Sequence, residues 1–508
     1  MLRTLIAKEI LETVLDLRFV VATVLFMVMI PLGMYISRVD YEQRLAAYQQ
    51  EHQIWRQRYG TTEQVWVDVE AHGFRPPSVL SIFASGLDSF IPDQVVTANT
   101  GVFRVVKESG LGNVLSMLFG KADFLFVMTH VVSLMALILA FNAVSGERER
   151  GTLRLMIAHA VPRGRLLLAK VAGRYLVLLL PLVMAMLVSL IILNASPVVS
   201  LETDEVGSTY AVLFGITLLF VLGMVCLGIC VSAYARHSKG AVVLLFFVWL
   251  LSVLGIPKIT PMLAAMIHPV ESRGEFDLNK QAVTEDALET YYQENERQIQ
   301  SRKKEERDRV MAWGDGRARE LESRAVDLGP EWHKEAYKAF MKEINEKFKA
   351  IDATYDPQVT ALYQDYRKRT AHTLKQMEQN YRNRKGNQYH IAAALSRLSP
   401  VCCYAFMVTG LSNTGIPEPD HFIENAQRYQ DQMEEAIYSK IVLMTRNEGG
   451  WIEGFDPSSP ILLPDMHYAL PGLRQRLENA WPDFSLLVLF GALFYALTFV
   501  RLVKYDVR

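Results

Sequence analysis

Cysteine is scarce: four residues in 508, two adjacent (Cys402, Cys403) and two inside an apolar run (Cys226, Cys230). That excludes a disulfide scaffold and a paired CxxC zinc site. An excess of either charge is also missing. Lys and Arg total 53 against 54 Asp and Glu, a net charge of -1, which removes bulk electrostatics as a route to nucleic acid. No phosphate-cradling P-loop occurs. The nearest fragment, Phe119-Gly120-Lys121-Ala122, lacks the leading glycine and the hydroxyl residue, so the chain does not hydrolyse ATP by that route. HExxH, GxSxG and His/Cys clusters at metal-ligand spacing are absent as well. No catalytic, cofactor-binding or metal residue is therefore expected.

Apolar sequence is abundant. Hydrophobic residues make up 51% of the chain and mean hydropathy is +0.13, although 21% of residues are charged. The two populations are segregated. Six stretches contain no Lys, Arg, Asp or Glu: Phe19–Ile36, Phe124–Val144, Tyr175–Asn194, Tyr210–Tyr234, Gly240–Pro257 and Phe484–Val500. Each is close to the about 17–25 residues that cross a hydrocarbon core of roughly 30 Å. One charge at mid-bilayer costs about 2.5–3.5 kcal/mol on insertion scales. Six charge-free windows therefore predict an all-α polytopic membrane protein with six transmembrane helices, rather than a soluble enzyme with buried helices.

Arg3, Lys8 and Arg18 precede the first window. That window is longer than a signal-peptide core, and Tyr35-Ile36-Ser37-Arg38 offers no small-x-small cleavage site, so it reads as an uncleaved anchor. Basic residues set the orientation. Arg148, Arg150, Arg154, Arg163, Arg165, Lys170 and Arg174 lie between spans two and three. Arg236 and Lys239 lie between spans four and five, and Arg501, Lys504 and Arg508 follow span six. The loop 195–209 holds Glu202, Asp204 and Glu205 and no basic residue. All basic loops share one side if both termini are cytoplasmic in a bacterial inner membrane. The expected organisation is a cytoplasmic N-terminal helix with span one (1–36), an extracytoplasmic segment (37–123), spans two to five (124–257), a helical extracytoplasmic domain (258–483), and span six with its tail (484–508).

Within that large domain, Tyr337, Phe340, Ile344, Phe348, Ile351 and Tyr355 recur at spacings of three and four. After Asp356-Pro357 the period resumes with Val359, Leu362, Tyr366, Thr370, Met377 and Tyr381. The sequence predicts a coiled-coil-like antiparallel hairpin turning at that proline. The run Arg302-Lys303-Lys304-Glu305-Glu306-Arg307 reads as a solvated face. Ser399-Pro400 breaks the apolar stretch 391–411, which is expected to be a helix-turn-helix elbow at the outer membrane interface. Trp451, Tyr468 and Trp481 are candidate interfacial aromatics.

Two polar residues fall inside span two, His130 and Asn142; each marks a functional position or an interhelical hydrogen bond. The loop after that span is the most informative segment. Ser145-Gly146-Glu147-Arg148-Glu149-Arg150-Gly151-Thr152-Leu153-Arg154-Leu155-Met156 leaves the membrane with charges. It passes Gly151-Thr152, where Thr152 is placed to cap a short amphipathic helix, and re-enters through Val161-Pro162-Arg163-Gly164-Arg165-Leu166-Leu167-Leu168-Ala169-Lys170. A helix pinned at both ends in this way passes force between a cytoplasmic partner and the spans; a basic loop with no partner is the plainer alternative.

Gly146–Leu155 followed by Pro162–Lys170 resembles the signature of ABC-2-type ABC transporter permease subunits. Leu395-Ser396-Arg397-Leu398-Ser399-Pro400 and Gly410-Leu411-Ser412-Asn413-Thr414-Gly415 resemble the branch with a large extracytoplasmic loop, similar to gliding-motility-associated or copper-maturation-like permeases. The resemblance implies a coupling helix at about 146–165 that docks on a separate cytoplasmic ATPase dimer, which binds the ATP. Glu147, Arg148, Glu149, Arg150, Gly151, Thr152, Leu153 and Arg154 would form that contact. It also implies a second permease subunit, identical or related. An exporter is the first expectation. The second is a mechanotransmitter acting on a periplasmic partner without solute transport. An integral-membrane enzyme is the third, resting on His130 alone.

Overall fold

The computed structural model describes residues 2–59, 61–62, 70–88, 91–98, 103–106, 123–158, 162–199, 204–328, 330–448 and 461–505. The chain forms two compact units, one of Met1–Leu263 with Ile391–Arg508 and one of Ala264–His390. The second occupies the first part of the 258–483 segment; described residues from 391 onward group with the spans.

In the first unit a short helix α1 (Leu2–Val14) precedes α2 (Leu17–Tyr59). Next come β1 (Thr61–Thr62), β2 (Glu70–Phe74), β3 (Gln94–Ala98) and β4 (Phe103–Val106). Helix α3 (124–140) contains a π-helical turn at Val127–Val132. The elbow helices α4 (Ser145–Glu149) and α5 (Thr152–Ala158) lead to α6 (Arg163–Asn194), α7 (Asp204–Tyr234) and α8 (Ser238–Ile267). Among the described residues, six helices are long and apolar enough to cross a membrane: Leu17–Gln57, Phe124–Glu149, Arg163–Asn194, Glu205–Tyr234, Ser238–Ile267 and Leu473–Val503. Every charge-free window of the sequence lies inside one of them, in order. Glycine permits the tightest approach in the bundle: a Cβ on Gly228 of α7 would stand 2.5 Å from Ala140 Cβ of α3.

The second unit is the hairpin. Helix α9 (273–328, with a π-helical turn at Glu296–Gln300) runs against α10 (Pro330–Ser396). Arg273 meets Glu378, Tyr291 meets Tyr363 and Tyr366, Lys303 meets Asp352 and Asp356, and Trp313 meets Phe340. These pairs converge toward the end of α9 at Leu328 and the start of α10 at Pro330, so the hairpin does not reverse at Pro357. Pro357 lies inside α10. One missing N–H is tolerated because Ile351, Tyr355, Val359 and Leu362 on either side stay packed on Ile299 and Val310. Restoring the donor with Pro357→Ala is expected to stabilise the hairpin by up to about 3 kcal/mol, read as slower amide exchange around residue 357. The charged run lies on a mostly solvent-exposed face, with Arg302, Lys304, Glu305 and Arg307 exposed, and Lys303, Glu306 and Arg307 also bond Asp352, Asp356 and Tyr355 across the hairpin.

After α10 the chain turns and enters α11 (Pro400–Leu411), whose N-terminus is capped by Ser399 Oγ accepting from Val401 and Cys402. The predicted helix-turn-helix is present, and α11 is buried against α7 and the last helix. Tyr404 is fully buried, stacked on Phe220, with its hydroxyl 2.9 Å from Thr217 Oγ1. Helix α12 (Glu418–Glu448) and β5 (Ile461–Leu462) precede α13 (Leu473–Val503). Arg397, in the turn before α11, pairs with Asp483 of α13 at 2.6 Å. Asp483 lies 18 residues, about 27 Å of helix, before Arg501, a hydrocarbon thickness from the basic end.

A small sheet was not foreseen. Strands β2, β3 and β4 form an antiparallel sheet in which Gly73 faces Val95 and Val96 faces Arg104; β1 pairs with β5. Asp88, on the β2–β3 connection, takes Arg75 at 2.7 Å and also Arg44 of α2. Thr414 docks this connection: Leu87 N donates to Thr414 O at 2.8 Å and Thr414 Oγ1 to Ala84 O at 2.9 Å. Gly86, at φ +42, accepts an approach that leaves no room for a side chain. Tyr468 donates to Glu418 in this layer. Trp481 is exposed, and Trp451 lies outside the described residues.

Candidate functional site

Helix α3 gives way at residues 141–144, and α4 starts where the amides of Val144 and Ser145 both donate to Ser232 Oγ of α7 at 3.0 Å. A hydroxyl from a neighbouring span thus satisfies the helix start. Gly151 ends α4 with φ +74, a left-handed conformation that suits glycine at a helix terminus. Helix α5 follows at once.

The eight expected coupling residues divide by what they touch. Glu147 is buried, with carboxylate oxygens 2.7 Å from Lys170 Nζ and 3.3 Å from Lys8 Nζ. Arg148 donates to the carbonyls of Ala235 and Ala233 at the end of α7 and lies over the ring of Tyr505. Glu149 accepts from the amide and hydroxyl of Ser238 at the start of α8. Arg150 donates to Gly146 O and is exposed. Thr152 donates to Glu147 O, and Leu153 is fully buried. Arg154 and Leu155 are exposed, Leu155 at 60%. The elbow is thus anchored by its first residues and by Leu153, and presents Arg150, Arg154 and Leu155 outward.

Sequence reasoning missed the anchor beneath it. Glu9 of α1 accepts from Lys170 Nζ at 2.8 Å and lies 3.7 Å from Arg174. Burial alone would raise the Glu9 carboxyl, but Lys170 and Arg174 outweigh it and hold it below the ordinary value. Glu9, Glu12 and Glu147 bring carboxylate oxygens within 4.8 Å of one another. The Lys170 ammonium stands between two of them, where a cation would sit, so this donor set does not call for a metal ion. The available signal was Lys170 and Arg174 themselves, four residues apart at the edge of a charge-free window, where buried charges need partners.

Asn142 joins the same cluster, accepting from Arg174 Nη1 at 3.1 Å. His130 does not. Its Nδ1 is satisfied by Phe126 O and Thr129 Oγ1, and its ring stacks on Phe126 at 4.2 Å. The elbow shares its side of the bundle with the chain end: Arg163 bonds Val503 O and Tyr505 O, and Lys8 comes from α1.

Six apolar helices with a charged elbow after the second define a multi-pass α-helical membrane protein. The family model described as ABC-2 family transporter protein matches residues 3–507, and the chain belongs to that family. Over 59 residues it is 42% identical to the probable ABC transporter permease protein NosY of Pseudomonas aeruginosa, covering 12% of this chain and 22% of that protein. It is 41% identical over 59 residues to the protein of the same name from Stutzerimonas stutzeri, covering 12% and 21%. The chain thus spans about a fifth of the length of the curated relatives it matches.

Proposed function

We propose that this chain is the permease subunit of an ATP-driven exporter in a bacterial inner membrane, with both termini cytoplasmic. It works as a pair of permeases on a separate ATPase dimer, which binds the ATP. The observation that carries the reading is the elbow. Its exposed residues, Arg150, Arg154 and Leu155, offer two cations beside an apolar knob, while its other side is fixed to α7, α8 and α6. Such a surface suits a partner with an acidic rim around an apolar groove. Purification of the tagged chain from its own membranes is expected to retain an ATPase of vanadate-sensitive activity; a preparation free of any ATPase would sink the reading.

The hairpin favours a second reading. Helix α9 extends over 56 residues, about 80 Å, and its seam is laced by ion pairs. A stiff arm of that length suits transmission of ATP-driven motion to a periplasmic protein, with no solute crossing. ATPase activity that responds to such a protein, and not to candidate solutes, would select this reading over export.

A further inference from the structure

We infer that Lys170 is a positioning residue that makes the N-terminal helix α1 part of the coupling device, so that α1, α4 and the start of α6 move as one block. The inference rests on the permease reading and goes beyond it, since α1 carries no motif of its own.

Lys170 is wholly inaccessible, and its ammonium reaches Glu9 of α1 at 2.8 Å and Glu147 of α4 at 2.7 Å. One side chain on α6 therefore holds two elements that are far apart in sequence. Three residues on, Gly173 lets α1 come close: a Cβ there would stand 2.6 Å from Glu9 Cβ. Arg174, one turn from Lys170, binds Glu9, Asn142 and Leu139 O, adding the end of α3. Glu9, Glu147, Lys170 and Arg174 form a neutral set of two anions and two cations. Lys8 and Glu12 complete it toward the exposed edge, where Lys8 lies 3.3 Å from Glu147 and 3.7 Å from Glu12.

The physical consequence is rigidity. Sliding α1 or α4 away from α6 would leave a buried charge without its counterion, which is far costlier than separating apolar surfaces. Beyond Gly151, α5 is joined to the block as well: Leu153 is buried, Thr152 donates to Glu147 O, and Lys8 Nζ lies 3.9 Å from Met156 Sδ. A push on α5 is thus received by the block and delivered to α6 and α1 together. Glu147 acts here as an internal strut, while the partner is met by the residues after it.

The test uses the full chain with its ATPase and three variants. Lys170→Met removes the hub charge, Lys170→Arg keeps it, and Gly173→Leu wedges α1 away while leaving every charge in place. Lys170→Met and Gly173→Leu are expected to bind the ATPase as the wild type does, yet to lose the permease-dependent change in ATP hydrolysis rate by about tenfold. Lys170→Arg is expected to retain it. Should Lys170→Met fail to fold, Gly173→Leu carries the same test. Hydrogen exchange of the permease gives the structural half: amides of α1 and of 145–149 should lose protection together in both variants. Independent opening of the two segments, unchanged regulation in both variants, or weakened ATPase binding in step with lost regulation would each overturn the inference. A wild-type chain that neither binds nor regulates an ATPase counts instead against the permease reading, and the exchange result still judges the block.

Discussion

Asp88→Asn is expected to destabilise the layer formed by the β2–β3 connection, the small sheet and α12 by about 3–5 kcal/mol, the cost of breaking a buried pair by removing one partner. The Asp88 side chain is wholly buried, and that of Arg75 is exposed by only 2%. Arg75 reaches Asp88 twice, through Nη1 to the carboxylate at 2.7 Å and through Nη2 to the backbone carbonyl at 3.3 Å. Arg44 reaches the other carboxylate oxygen and also donates to Ser81 Oγ. The neutral amide leaves the buried Arg75 guanidinium with only its longer, 3.4 Å pairing to Asp93. Faster amide exchange across 70–98, with the spans unchanged, is the expected signature.

The same group sets an acid limit. Burial would raise the Asp88 carboxyl, but Arg75 and Arg44 outweigh it and hold it below the ordinary carboxylate value. A lowered folded-state pKa gives stability that is complete above the unfolded value of about 3.9 and lost as pH falls through the folded value. Asp93 and Glu418, which also face this layer, are shifted upward by burial. Their contributions run the other way, fading as pH rises through their raised values. Below about pH 4, loss of protection should therefore begin in 70–98, and Asp88→Asn should abolish that pH dependence.

Leu155→Asp is expected to weaken ATPase association by about 2–3 kcal/mol, roughly 30- to 150-fold in Kd, and to leave the melting temperature unchanged. Leu155 is 60% exposed, so its replacement opens no cavity. Leu153→Asp, two residues earlier at a fully buried position, should instead unseat the elbow and lower thermal stability. The pair separates contact from support. Charge reversal at Arg148 and Arg150 separates likewise: Arg148 holds the α7 carbonyls and Tyr505, so its reversal strikes the anchor, whereas exposed Arg150 belongs to the outward face. Unaltered binding in Leu155→Asp would remove this surface from the interface.

How far each feature was legible follows from the range of the interaction behind it. The spans were readable because a charge in hydrocarbon is costly wherever it occurs, which leaves a local mark. Window boundaries were less so: α2 continues to Tyr59, well past Ile36, because polar residues beyond the window still form helix. The hairpin's apolar positions were also visible, and Phe340, Ile351, Tyr355 and Tyr381 are buried as the period requires. The turn was misplaced because a single proline costs less than unpacking the seam around it. The eight elbow residues stood in plain sequence, but their division into anchors and outward contacts did not.

Sequence alone determined the all-helical membrane class, the six spans and the location of the elbow, since composition and period act residue by residue. Tertiary structure alone decided that Lys170 joins Glu9 to Glu147 across 161 and 23 positions, that Asp88 gathers Arg75 and Arg44, and that Thr414 forms a joint with the 84–87 segment. Each of those depends on which distant charge or carbonyl arrives opposite a given side chain, and only the packed bundle fixes that.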